Sequence, residues 1–278
     1  TDKNERHYID GLKDKNTLLY AGTKYHLSQW YYRNKIDYLF VDEAGQISIA
    51  DLIALGGVAK NIILVGDQLQ LGQPTQGSHP GLSNNSVLDY LLQGKDTVED
   101  NRGIFLSRTY RMHPNINSFI SEHFYENKLL TNPENKNRKI DFPKNFFLNN
   151  EGIHTILMDH EDCTQTSEQE FKKIDEIIKK LIGRKFTDAD NKERPLTIED
   201  FLIVSPYNAQ VNFLLARLPE GTRCGTIDRF QGQEAPVTII SMTSSDLESL
   251  PRDKSFFFNR NRLNVAISRA QCLSVILF

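Results

Sequence analysis

"YLFVDEAGQ", residues 38–46, is a run of apolar side chains that stops at two adjacent acids and a glycine. A strand covered on both faces of a parallel sheet reads as such an unbroken apolar run. Carboxylates at its C-terminal end then stand where open α/β sheets take their ligands. The stretch that follows, SIADLIALGG (48–57), has Ser48 as a helix cap and Gly56 as a stop, so it predicts a crossover helix. NIILVGDQLQL (61–71) repeats the strand pattern and ends in glycine, acid and amides. Strand, helix and strand in this order predict an α/β protein with mostly parallel sheets.

The same pattern extends along the chain. Further candidate strands are TLLYA (17–21), HTILM (154–158), FLIVSP (201–206), TIISM (238–242) and SVILF (274–278). SEQEFKKIDEIIKKLIG (167–183) predicts a surface helix, with Phe171, Ile174, Ile177, Ile178 and Leu181 on one face and lysines on a solvated one. Residues 73–86 and 131–145, rich in Gly, Pro, Ser and Asn, predict loops, and 187–195 a charged turn. The alternation restarts after residue 103, which predicts two domains, 1–103 and 104–278.

A chain of 278 residues, 39% hydrophobic and 25% charged, has the composition of a globular protein with room for two cores. No apolar run approaches the roughly 20 residues that cross a bilayer. The opening TDKNERHYID lacks the apolar stretch of a secretory signal, so a cytoplasmic location is expected. A net charge of -3 speaks neither for nor against a polyanionic partner. Cys163, Cys224 and Cys272 are odd in number, widely spaced and match no metal-ligand pattern, so they read as reduced and structural.

Five segments can carry chemistry. Asp42 and Glu43 at a strand end suit a water-coordinated Mg²⁺ and the orientation of an attacking water, or else form a solvated turn before the next helix. Gln68 and Gln70 end the neighbouring strand, where they are either site residues or loop polars. In LSRTYRMHP (106–114), Arg111 sits between an aromatic residue and Met-His-Pro, a setting that can fix a guanidinium for neutralising a phosphoryl group. GTIDRFQGQEAP (225–236) gathers a hydroxyl, acids and amides. NRLNVAISRA (261–270) puts Arg262 and Arg269 seven apart, near one helical face. Each is ambiguous alone.

Together and in this order, the five resemble motifs II to VI of superfamily 1 helicases, in the branch of the nonsense-mediated-decay helicase and the Okazaki-fragment nuclease-helicase. YLFVDEAGQISIADLIALGG, GDQLQL, TYRMHPNI, SPYNAQV, FQGQEAPVTIISM and NRLNVAISRA are most similar to the C-terminal part of bacterial fusions of a RecB-like nuclease with such a helicase. The resemblance covers nearly the whole chain and implies two RecA-like domains with ATP and Mg²⁺ in the cleft between them. It implies that Asp42 holds Mg²⁺, Glu43 activates water and Gln70 senses the γ-phosphate. Arg111 and Arg269 would be arginine fingers, and Glu234 would face the nucleotide. Thr23, Pro74 and Thr226 would touch the backbone of single-stranded DNA or RNA. Tyr207 and Gln210 match a further motif of unassigned contact. The implied activity is ATP-dependent movement along a single strand, DNA before RNA, from 5′ to 3′.

One part is absent from the 278 residues. The phosphate loop G-x-x-x-x-G-K-[ST] supplies backbone N–H groups and a Lys to the β- and γ-phosphates. The chain's Gly94-Lys95 pair is followed by Asp96, and Asp89 stands where the first Gly belongs. The expectation is an N-terminally truncated first domain, whose loop and any RecB-like nuclease lie in a longer parent polypeptide, and a fragment inactive alone. Two rivals remain: a non-catalytic nucleic-acid clamp on the same scaffold, and a nuclease using the acids of HEDC (160–163).

Overall fold

The computed structural model describes residues 19–72, 80–83, 85–160, 163–245 and 259–278. The chain divides into two units, one ending at Lys95 and one beginning at Asp96. This split lies ahead of the restart at 103 that the sequence suggests.

In the first unit, helix α1 (Lys24–Leu27) precedes strand β1 (Ile36–Val41), helix α2 (Ile49–Leu55), strand β2 (Ala59–Leu64) and helix α3 (Val87–Leu92). β1 and β2 pair in parallel, with Ile36 opposite Ala59 and Val41 opposite Leu64. α2 starts where Ser48 Oγ accepts the Asp51 N–H at 3.0 Å, and it ends at Gly56, as its sequence demands. The Val87 N–H donates to the Ile47 carbonyl at 2.8 Å, tying α3 to the turn after β1. Leu39, Val41 and Ala44 meet Leu27, Tyr32, Leu55 and Val58 in this unit's core. The candidate strand at 17–21 is not one where it is described. Leu19–Ala21 are irregular, and the Tyr20 hydroxyl meets Tyr32 and His26. Thr17 and Leu18 lie outside the described residues.

The second unit holds strand β3 (Arg108–Thr109), helix α4 (Pro114–Phe124), and strands β4 (Leu130–Thr131), β5 (Lys139–Ile140) and β6 (Gly152–Ile156). There follow helix α5 (Glu168–Leu181), strands β7 (Lys185–Thr187), β8 (Glu193–Pro195) and β9 (Phe201–Val204), helix α6 (Asn208–Leu215), strands β10 (Arg223–Gly225) and β11 (Ala235–Ser241), helix α7 (Arg260–Ser268) and strand β12 (Ala270–Leu277). The central sheet is five-stranded, in the order β10-β9-β11-β12-β6, and every pair is parallel. All seven residues of β11 are buried, which is why this strand is apolar without alternation. α5 lays Ile174, Ile177, Ile178 and Leu181 into the core, where they join Phe201, Ile203, Val237, Ile239 and Val275.

Two segments are more ordered than their composition suggests. The charged stretch 187–195 is the end of an antiparallel hairpin, β7–β8, turned by Asn191 at φ 62°. The polar stretch 131–145 contains β5 and the 3-10 turn Pro133–Asn137, because the Asn135 side chain donates to the Met112 carbonyl at 3.0 Å from a buried position. No described helix is long and apolar enough to cross a membrane.

Candidate functional site

The first unit brings the ends of β1 and β2 together by close backbone packing. Glu43 takes a left-handed backbone (φ 52°, ψ 42°), and Asp42 Oδ1 accepts the Glu43 N–H at 2.9 Å. The Ala44 N–H then donates to the Val65 carbonyl at 2.9 Å. A Cβ on Gly45 would stand 2.5 Å from the Asp67 carbonyl oxygen, and one on Gly66 would stand 2.6 Å from the Ala44 nitrogen. Only glycine permits that approach. The result is two adjacent turns with the carboxylates of Asp42 and Glu43 exposed to solvent.

The second turn is held by its own acid. Asp67 Oδ1 accepts the Leu69 N–H at 2.9 Å, and its Oδ2 accepts from Gln70 Nε2 at 3.1 Å. Gln70 thus reaches back to Asp67 and is half-buried. Gln68 donates to the Lys95 carbonyl at 3.2 Å. Gln46 Nε2, three residues past Glu43, is buried without a hydrogen-bond partner among the described residues. The oxygen donors of Asp42 and Glu43 are the hard, anionic kind that suits Mg²⁺, and their exposure leaves room for its waters.

In the second unit, Arg111 and Arg269 come to the N-terminal ends of the interior strands β11 and β12 from opposite ends of the unit's sequence. Arg111 Nε donates to Glu234 Oε2 at 2.7 Å, and Arg111 Nη1 approaches the Ser268 carbonyl at 3.4 Å. The Ala235 N–H donates to the Arg269 carbonyl at 3.1 Å, so Arg269 and Glu234 flank the start of β11 and β12. Arg269 itself is buried. Glu234 is held on both oxygens, since Gln271 Nε2 donates to its Oε1 at 2.7 Å. Burial alone would raise the Glu234 carboxyl. The hydrogen bonds from Arg111 and Gln271, with the charges of Arg111 and Arg138, outweigh it and hold the group below its ordinary value.

The loop bearing Arg111 is fastened from below. Arg138 is buried and donates to the Tyr110 carbonyl at 3.2 Å, while its Nε lacks a partner among the described residues. Desolvation depresses its pKa, opposed by Glu234 and other acids. The His113 N–H donates to the Gln271 carbonyl at 2.9 Å, and His113 Nδ1 accepts the Asn115 N–H at 3.1 Å as the cap of α4. Burial lowers the His113 pKa against a backbone hydrogen bond with Lys136, and the Arg138 charge lowers it further. The sequence reading did not single out Arg138, Asn135 or Gln271. Gln271 is the second residue of β12, and nothing in its local sequence marks it. Arg138 lies in a polar loop that gives no signal.

Other candidate residues lie elsewhere. Arg262 near the start of α7 and Arg269 just past its end are about two helical turns apart, and Arg262 lies near Ser205 and Met242 at the C-terminal ends of β9 and β11. Arg262 pairs with Asp228 at 3.1 Å beside Thr226, which is half-buried at the end of β10. Thr23 is exposed and accepts the His26 N–H at 3.3 Å. Pro74 lies outside the described residues, as do Glu161 and Asp162 of HEDC.

Gln210 is fully buried: its Oε1 accepts the Ser167 N–H at 3.0 Å and its Nε2 donates to Ser241 Oγ at 3.1 Å. Ser241 in turn donates to the buried Glu170, whose Oε1 accepts the Thr243 N–H at 2.7 Å. Burial pushes the Glu170 carboxyl up to about 7, although those two hydrogen bonds pull the other way.

The AAA domain family matches residues 84–277. DNA polymerase alpha-associated DNA helicase A of Schizosaccharomyces pombe is 30% identical over 255 residues, which is 84% of this chain and 36% of that protein. The Regulator of nonsense transcripts 1 homolog of Drosophila melanogaster is 28% identical, over 86% of this chain and 20% of its own length. DNA replication ATP-dependent helicase/nuclease DNA2 of Gallus gallus is 29% identical, over 86% and 22%. The chain therefore spans well under half the length of each of these relatives. Among solved structures, the arterivirus nonstructural protein 10 helicase aligns with TM-score 0.42 at 17% identity, over 86% of this chain and 38% of that one. With the family match extending over most of its length, the chain belongs to the AAA domain family, as a member of the superfamily 1 helicases.

Proposed function

We propose that this chain supplies the water-activating, phosphate-neutralising and strand-gripping residues of an ATP-dependent helicase that works in the cytoplasm on single-stranded nucleic acid, DNA before RNA, from 5′ to 3′. The observation that carries this reading is that Arg111 pairs with Glu234 at the start of β11 and approaches the Ser268 carbonyl, next to Arg269 at the start of β12, although Arg111 and Ser268 are 157 residues apart in sequence. A guanidinium held there, with a second arginine at the neighbouring strand's start, suits the charge that develops on a transferring phosphoryl group.

In this reading Asp42 holds Mg²⁺ through water, and the ion when bound neutralises charge on the phosphate oxygens. Glu43 takes a proton from the attacking water, and its exposure leaves that water free access. Gln70 leaves Asp67 for the γ-phosphate. Arg111 and Arg269 stabilise the transition state, and Glu234 contributes on the nucleotide's side. Thr23, Thr226 and the region of Pro74 hold the strand by its phosphates, so binding is sequence-tolerant and weakens with salt.

The 278 residues contain no G-x-x-x-x-G-K-[ST]. Without its Lys and N–H groups, three or four charge-assisted hydrogen bonds of roughly 1.5–3 kcal/mol each are forgone, which amounts to several orders of magnitude in nucleotide affinity. The reading therefore requires that loop from outside these residues, in a parent polypeptide that by resemblance also carries a RecB-like nuclease.

The test is ATP hydrolysis by the chain with and without single-stranded DNA, repeated after addition of a separately made polypeptide carrying the phosphate loop. Hydrolysis only after the addition supports the reading, and its loss in Glu43→Gln assigns the base. The missing loop also favours a second reading, a strand clamp indifferent to nucleotide, which predicts DNA binding unchanged by ATP in every mixture.

A further inference from the structure

We propose that Tyr25 and Trp30 form a stacking platform for the bases of a single strand on the first unit, an inference that rests on the reading above that the chain grips such a strand. Trp30 is the chain's single tryptophan, and it is 77% exposed; Tyr25 is 73% exposed. Large aromatic rings are the most rewarding side chains to bury, so two of them held open close together in sequence form a surface poised to be covered.

The rings stand on a fixed base. The Tyr25 carbonyl accepts from Ser28 Oγ at 3.2 Å and from Gln29 Nε2 at 3.0 Å, which joins α1 to the 3-10 turn Trp30–Tyr32. Beneath them the Tyr20 hydroxyl meets Tyr32 Oη at 2.6 Å and His26 Nε2 at 2.9 Å, and Tyr32 is fully buried. Trp30 meets Tyr31 nearly edge-on, at 5.9 Å and 80°, so the two rings do not stack on each other. A platform of this kind loses little conformational freedom when a base lands on it.

The charge around the rings selects the occupant. From Leu19 to Ile36 the sequence carries Lys24, Arg33 and Lys35 and no Asp or Glu, within a chain of net charge -3. Lys24 lies 5.2 Å from the Tyr25 ring centroid and is shared with Asp51 at 2.6 Å, which leaves Arg33 and Lys35 to set the local sign. Aromatic faces interleaved with cations are what a sequence-tolerant single-strand site uses, stacking bases and tracking phosphates together. Thr23, two residues before Tyr25, is the neighbouring candidate for a backbone contact.

The single tryptophan makes the test direct. Oligothymidylate of about 15 nucleotides, a length that spans known single-strand sites, is titrated into the 278-residue chain while Trp30 fluorescence and the anisotropy of a labelled oligonucleotide are followed together. Saturable quenching that tracks the anisotropy is expected, with Tyr25→Ala and Trp30→Ala each weakening binding about tenfold or more and Trp30→Phe retaining most of it. Both side chains are exposed, and an unchanged melting temperature verifies that the variants fold. Binding by anisotropy with unquenched Trp30 and unaffected variants would overturn the platform and leave the strand-gripping reading intact. No binding at all would overturn both. Trp30 already shielded from acrylamide in the free chain, with a dimeric mass, would replace the nucleic acid by a second copy of the chain.

Discussion

Arg111 and Glu234, 123 residues apart in sequence, are joined by a 2.7 Å hydrogen bond, and Gln271 grips the carboxylate's other oxygen at the same distance. The pair is partly exposed, so solvent screens it, and its contribution to folding is about 1 kcal/mol or less. Its effect falls on the mobility of Arg111. Glu234→Ala is expected to leave the melting temperature nearly unchanged while speeding hydrogen exchange at the Arg111 side-chain Nε–H, followed by ¹⁵N NMR. An exchange rate equal to wild type would show that Glu234 does not restrain Arg111.

Glu170 should make stability depend on pH. Its folded pKa of about 7 lies above its ordinary 4.5. Below about 4.5 the acid is neutral folded and unfolded and carries no penalty. Between about 4.5 and 7 the unfolded chain releases the proton and the folded one keeps it, so stability falls as pH rises, by about 3 kcal/mol in all. The neighbouring His160, 3.5 Å away, has its pKa lowered by burial, partly offset by Asp159, and does not reverse the sign. Glu170→Gln copies the protonated acid: its amide donates to Ser241 and its carbonyl accepts from Thr243. Urea melts should show the variant matching wild type near pH 4.5 and exceeding it near pH 8; parallel curves across this range would refute the assignment.

Gly45 and Gly66 make a prediction specific to the first unit. A Cβ at either meets backbone at 2.5 or 2.6 Å, which no rotamer change relieves. Gly45→Ala and Gly66→Ala are each expected to cost about 1–3 kcal/mol. Hydrogen exchange should rise across β1 and β2 while β9, β11 and β12 stay protected. Equal loss of protection in both units would mean that they do not unfold separately.

Gln210→Ala abandons the Ser167 N–H and weakens the hold on Ser241, both buried. Each orphaned group costs about 1–3 kcal/mol. A denaturant midpoint within error of wild type would indicate that water replaces the amide.

The pattern of strands was legible because buried parallel strands such as β9 are apolar at every position, whereas the apolar run of β1 leaves Tyr38 and Phe40 exposed. The cap of α2 was legible because Ser48 bonds locally to Asp51. What the sequence hid depends on distant partners. Arg138 reaches the Tyr110 carbonyl, and Glu234 is claimed by Arg111 and Gln271, contacts that exist only after the chain has folded. The spacing of seven between Arg262 and Arg269 did not show that about two turns of α7 lie between them, with Arg262 claimed by Asp228.

The seven residues from Arg262, with its Asp228 partner, to Arg269 span about 10 Å at about 1.5 Å each. α7 thus bridges the sheet from the C-terminal ends of β9 and β11, where Arg262 lies near Ser205 and Met242, to the residue that leads into β12.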